Sequence, residues 1–130
     1  MERTIKLITC IIFSIIILLP VNAANTQNAT ANTKTELTNC VKTFPIGYEK
    51  LFYLALAGMN EYDYQIKEVQ SKGGYIVFIT NNQKFLASIV YVSSTKSMLK
   101  ITSFNGDYNF SSEIPQKLFK YIETNQTKTF

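Results

Sequence analysis

The chain has 130 residues, of which 46% are hydrophobic and 17% charged, with a formal net charge of +4. So mild a balance names neither a nucleic acid nor an acidic surface as partner. The sequence holds no histidine and no tryptophan, and no arginine after Arg3, which excludes Ser-His-Asp and Cys-His catalysis and histidine-containing zinc sites, and leaves residues 24–130 without a bidentate arginine clamp for phosphate.

Residues 1–23 are built like a cleavable export signal. Arg3 and Lys6 form a cationic start, the apolar run from Leu7 to Leu19 follows, and Pro20 ends it before Val21-Asn22-Ala23 offers small side chains for cleavage after Ala23. Thirteen residues of helix rise only roughly 20 Å, short of a roughly 30 Å hydrocarbon core. An uncleaved anchor is the lesser alternative. Cys10 lies within the apolar run and is poorly placed for lipidation. The expected location is therefore periplasmic or secreted, with membrane contact only through the uncleaved signal.

Residues 24–43 read as a flexible linker, because the stretch from Ala24 to Asn39 is crowded with Asn, Thr and Ala and cannot bury a core. Residues 44–123 read as one small α+β domain, and 124–130 as a disordered tail. Once the signal is removed, 11 lysines face 8 carboxylates and Cys40 is the one remaining cysteine. Cys40 then has no partner within the chain. It is either a free thiol beside the linker or a candidate for an intermolecular disulfide in an oxidising compartment.

Within the domain, Tyr48, Leu51, Phe52, Ala55 and Met59 recur at helical steps, predicting a helix over about 47–60. Residues 62–71 alternate as an edge strand would, and Lys72-Gly73-Gly74 marks a turn. Strands follow over 75–80, 85–92 and 97–104, separated by turns at Asn81-Asn82 and at 93–96. After Asn105-Gly106-Asp107, Ser111 or Ser112 caps a last helix with Glu113 and Pro115 in its first turn and Ile114, Leu118, Tyr121 and Ile122 as its apolar stripe. The expected fold is helix, four-stranded antiparallel meander, helix, with both helices on one sheet face. This element order, over about 45–123, is similar at the level of topology to small exported envelope domains, including those repeated in lipoproteins of the outer-membrane assembly machinery. The resemblance rests on element order alone and implies a class of role.

Two-residue hairpin turns, expected at 73–74 and 81–82, would divide the strand side chains into two sets. Tyr75, Val77, Ile79, Leu86 and Val90 share one face, and Ile76, Phe78, Phe85, Ile89 and Tyr91 share the other. Two helices cover only one face, so the other should present an apolar surface. The second set, Ile76, Phe78, Phe85, Ile89 and Tyr91, is assigned to that helix-free binding face. The same pattern also describes ordinary central strands covered by the linker or tail.

Other constellations are weaker. Asp63 and Glu68 have opposite parity on a strand and do not converge for acid-base work, so with Glu61 they read as a solvated edge. No dense oxygen-ligand spacing indicates calcium, and Gly47, Gly58, Gly73, Gly74 and Gly106 form no phosphate-binding frame. No metal and no cofactor are expected. Tyr48, Phe52, Tyr53, Phe78 and Phe119 follow core periodicity and are not interleaved with basic residues as in a nucleic-acid reader. The expected function is non-enzymatic binding of a protein partner, or self-association, through the sheet face. The alternative is a carrier of a small apolar ligand or lipid, lined by Leu51, Phe52, Ala55 and Leu118.

Overall fold

The computed structural model describes residues 36–129. The expected export signal, most of the expected linker and the terminal Phe130 lie outside the described residues. A tight hairpin organises the rest. Asn81 and Asn82 both take positive φ, 49° and 58°, the conformation that matches a two-residue turn to the natural twist of the strands it joins. The turn sets Thr80 opposite Gln83 and thereby aligns β3 (Tyr75–Thr80) with β4 (Gln83–Ser93), placing Phe78 opposite Phe85 and Val77 opposite Leu86. A second two-residue turn returns the chain into β5 (Lys96–Ser103), where Leu99 faces Ile89 and Ile101 faces Ala87. On the other side of β3 lies β2 (Gln65–Gln70), with a bulge between Ile66 and Glu68.

The sheet has five strands in the order β1-β5-β4-β3-β2, all antiparallel. The additional strand is β1 (Val41–Phe44), paired with β5 so that Val41 faces Lys100 and Phe44 faces Ser97. The four-stranded expectation is corrected here, because residues 41–43, which read as linker, belong to a strand. Four residues are too few to show a period. Their strand identity comes from β5, whose outer edge supplies the hydrogen-bonding partners, including the Ile101 N–H donated to the Cys40 carbonyl at 2.8 Å.

Helix α1 (Tyr48–Glu61) carries the chain from the β1 edge of the sheet to the β2 edge. Gly47 precedes it in extended geometry without a side-chain cap, while Glu49 places negative charge in the first turn, where the exposed amides favour it. Leu51, Phe52, Leu54, Ala55 and Met59 form its buried stripe. Helix α2 (Glu113–Asn125) starts where the Ser111 hydroxyl accepts the Glu113 N–H at 3.3 Å. It buries Ile114, Pro115, Leu118, Phe119 and Ile122, and it continues through Thr124 and Asn125, past the expected end of the domain at 123. The helices meet at Gly58, where a Cβ would stand 3.0 Å from Tyr121 Cδ1 and 3.2 Å from Leu118 Cδ2.

Both helices pack on one face of the sheet, as expected. Their stripes merge with Ile76, Phe78, Phe85, Ala87, Ile89, Leu99 and Ile101 into a single cluster that also takes in Cys40 and Phe44. An aromatic row runs through it. Tyr64 stacks on Phe78 at 5.4 Å, Phe78 on Phe85 at 5.3 Å, and Phe110 meets Phe85 edge-on at 5.1 Å. Each fully buried side chain of this size stabilises the fold by about 1.5–3 kcal/mol through removal from water.

Candidate functional site

Register divides the strand side chains into the two sets foreseen from the turn at 81–82, but the helices cover the opposite set. Ile76, Phe78, Phe85 and Ile89 lie beneath α1 and α2 inside the core. Their assignment to a helix-free surface is corrected. Tyr91 has the same parity and is 63% exposed. It stands where β4 runs beyond the last residue paired to β3, Ser88, and beside the irregularity between Tyr91 and Ser93. The five proposed binding residues are thus four core side chains and one exposed tyrosine.

A signal for the correct face is present in β5. Leu99 and Ile101 alternate with Lys100 and Thr102, and the tight turn before them places the two apolar residues on the side of Phe85 and Ile89. Carrying that alternation across the sheet makes the Phe78 face continuously apolar and the other face mixed, which identifies the former as the one that must be covered.

The helix-free face is therefore built from Tyr75, Val77 and Ile79 of β3, Lys84, Leu86, Ser88 and Val90 of β4, Met98, Lys100 and Thr102 of β5, Val41 and Thr43 of β1, and Glu68 of β2. Its centre is apolar, with Val77 opposite Leu86. Around this pair lies a shallow depression of about 350 Å³, lined by Glu68, Tyr75, Val77, Leu86, Ser88 and Phe104 among others. Phe104 is 49% exposed, and the Lys84 ammonium sits 4.0 Å from its ring centroid, a cation-π contact that holds the ring at the rim. On the far rim the Tyr75 hydroxyl donates to Glu68 Oε1 at 2.8 Å. That bond holds the phenol's pKa above its ordinary value, because losing the proton would set two negative oxygens against each other.

A larger cleft of about 920 Å³ opens at the start of α1, between the β2–β3 turn and the end of β4. Gly47, Gly73 and Gly74 line it together with Lys50, Lys72 and Tyr91. The Tyr48 hydroxyl spans its floor and donates to the Ser71 carbonyl at 2.6 Å. Gly74, at φ 69°, is forced by closeness, since a Cβ there would lie 2.7 Å from the Ile89 carbonyl oxygen.

Cys40 is 0% exposed, and its thiol is pushed above the ordinary value by burial. Its expected place beside a linker is corrected: it belongs to the core, so an intermolecular disulfide would first require local opening. Tyr53 departs from the expected core set and is 65% exposed on the outer side of α1. Leu51, Phe52, Ala55 and Leu118, the side chains named for a ligand cavity, stand in the packed cluster. Asp63 turns the chain at φ 53° ahead of β2, and among the described residues no three acidic or cysteine side chains gather as a metal ion would need. No helix among the described residues is long and apolar enough to cross a membrane.

Comparison with protein-family models and with curated protein sequences found no match to this chain.

Proposed function

We propose that the chain is an exported, non-enzymatic binding domain whose helix-free sheet face docks a protein surface, either a foreign partner or its own copy. The observation that carries this reading is the partly exposed Leu86 on the sheet face that neither helix covers, beside the recessed Val77 and flanked by the half-exposed Phe104 and by Tyr75. An apolar centre ringed by Lys84, Lys100, Ser88 and Glu68 has the layout of a recognition patch, with a dry middle and a polar rim. Export is supported by the signal-like residues 1–23. A binding role is supported by the enclosure of the Cys40 thiol and the absence of histidine, which leave hydroxyl nucleophiles without an imidazole to activate them.

The test is site-specific photo-crosslinking in the cells that make the chain. A photoreactive side chain at position 86 should give a discrete adduct whose partner peptide is identified by mass spectrometry, whereas the same group at the exposed position 60, on α1, should not. Equal and diffuse labelling from both positions would overturn the reading.

A further inference from the structure

We infer that the partner docked on the helix-free face is an acidic segment of another protein, in which carboxylates alternate with apolar side chains at a spacing set by Lys84, Lys96 and Lys100. This rests on the proposed docking role of the face and adds the chemistry of the partner.

Strand parity puts Lys96 and Lys100 of β5 on the helix-free side, since side chains alternate between faces and the intervening Ser97, Leu99 and Ile101 are buried on the other. Lys84 of β4 shares that side, next to the buried Phe85. Register fixes their spacing. Lys100 lies four residues along β5 from Lys96, and Lys84 is level with Phe104, four residues further on, whose N–H donates to the Lys84 carbonyl at 2.8 Å. Along the strand direction the two steps are equal, roughly 13 Å each. Two apolar rows lie between the lysines, Val90 with Met98 in one step and Val77 with Leu86 in the other.

The lysines of this face are not balanced. Glu68 is the only carboxylate on any strand of the sheet, it sits on the β2 margin, and its Oε1 already accepts the Tyr75 hydroxyl. Glu49, Glu61, Glu113 and Glu123 are all on the helices, and the ion pairs found among the described residues, Lys42 with Glu123 and Lys117 with Glu113, leave Lys84, Lys96 and Lys100 out. A face of this sign repels a copy of itself and attracts carboxylates. Its shape favours a polypeptide over an anionic membrane. Val77 is recessed, and the depression of about 350 Å³ between Tyr75 and Phe104 is reached by a side chain that enters it, whereas membrane docking relies on apolar groups that protrude into the bilayer. An extended chain laid along β4 and β5 rises roughly 3.3 Å per residue and turns alternate side chains to the face. Carboxylates four residues apart then meet successive lysines, and the apolar residues midway fall on the two apolar rows.

The experiment is a heteronuclear NMR titration of the full chain, purified in the form the cell exports, with a synthetic peptide that carries Glu at every fourth position, Val midway between and Thr elsewhere. Amide signals of β4 and β5 should shift while those on the outer side of α1 stay in place, and the peptide with Lys for Glu should leave both unmoved. Raising salt from about 50 mM to about 500 mM should weaken binding by about tenfold. Lys84→Gln, Lys96→Gln and Lys100→Gln combined should do the same at low salt, and the dispersion of the variant's own spectrum checks that it folds. Equal binding of the two peptides, binding indifferent to the triple substitution, shifts centred on another surface, or no shift at all would overturn the inference. Sedimentation of the chain with phosphatidylglycerol vesicles, in the absence of any peptide-induced shift, would overturn it in favour of a membrane surface. The broader docking role has a separate readout: a position-86 adduct with a protein segment that has no excess of carboxylates would leave docking standing and remove the acidic partner.

Discussion

Val77 and Leu86 face each other across β3 and β4 on the side of the sheet that neither helix covers, and Val77 is nonetheless only 3% exposed. Its neighbours on that face are Leu86 opposite it on one strand, Glu68 opposite it on the other and Tyr75 two residues away. The pair is therefore a recessed apolar centre and not a protruding one. Leu86→Ala should lower stability by about 1–2 kcal/mol, because water reaches only part of that side chain, whereas Phe78→Ala, at a fully buried position on the opposite face, should lose about 3–5 kcal/mol. Urea unfolding of the two variants measures the contrast. Comparable losses would show that the two faces are buried alike.

The conformations of Gly74 and Gly106 separate two kinds of glycine requirement. Both have positive φ, 69° and 84°, but a Cβ at 74 would stand 2.7 Å from the Ile89 carbonyl oxygen and 2.8 Å from Tyr48 Oη, while a Cβ at 106 would meet nothing within 4 Å. Gly106→Ala should cost about 1 kcal/mol of backbone strain. Gly74→Ala adds the clash and should cost at least about 2 kcal/mol. Thermal midpoints of the two variants check the order, which would be reversed if turn strain alone governed both.

Cys40 should make stability fall at alkaline pH. Burial raises the thiol's pKa above its ordinary value of 9.0, so the folded chain holds this proton where the unfolded chain has released it. Its contribution is fully present below the unfolded value and is lost as pH rises through the folded one. Stability against pH should therefore slope downward above about pH 9, and more steeply in the wild type than in Cys40→Ala. A thiol reagent at neutral pH should leave the native protein unmodified and label it upon unfolding. Rapid native labelling would contradict the enclosed position.

Glu68 and Tyr75 should be linked in titration. Removing the carboxylate in Glu68→Ala takes away the acceptor that retains the phenol proton, so one tyrosine should ionise at a lower pH than in the wild type. Ultraviolet difference titration reads this directly. An unchanged curve would mean that the two side chains are not joined in solution.

Much of the meander is legible locally. Asn81-Asn82 announces its own turn type, and the alternation of Tyr75, Ile76, Val77 and Phe78 then divides the two faces without reference to the rest of the chain. The stripes of α1 and α2 are equally plain in the three- and four-residue steps of Leu51, Ala55 and Met59 and of Ile114, Leu118 and Ile122. The end of the linker is not legible, since Val-Lys-Thr-Phe contains no repeat and becomes β1 only by pairing with β5. Tyr53 follows the apolar residues of α1 in composition yet points away from the sheet, because a helix buries a stripe and not every large side chain it contains.

By itself the amino-acid sequence determined the period of each element, the turn that sets the β3–β4 register, and which side chains share a face, because these depend on backbone preferences acting over a few residues. Tertiary structure decided which face the helices cover, whether Cys40 is inside, and where the sheet ends. Those outcomes depend on the path α1 takes from one edge of the sheet to the other and on an edge of β5 waiting for residues 41–44. Contacts over such separations leave no local period in the chain. They made Ile76, Phe78, Phe85 and Ile89 the core and left Val77 and Leu86 facing outward.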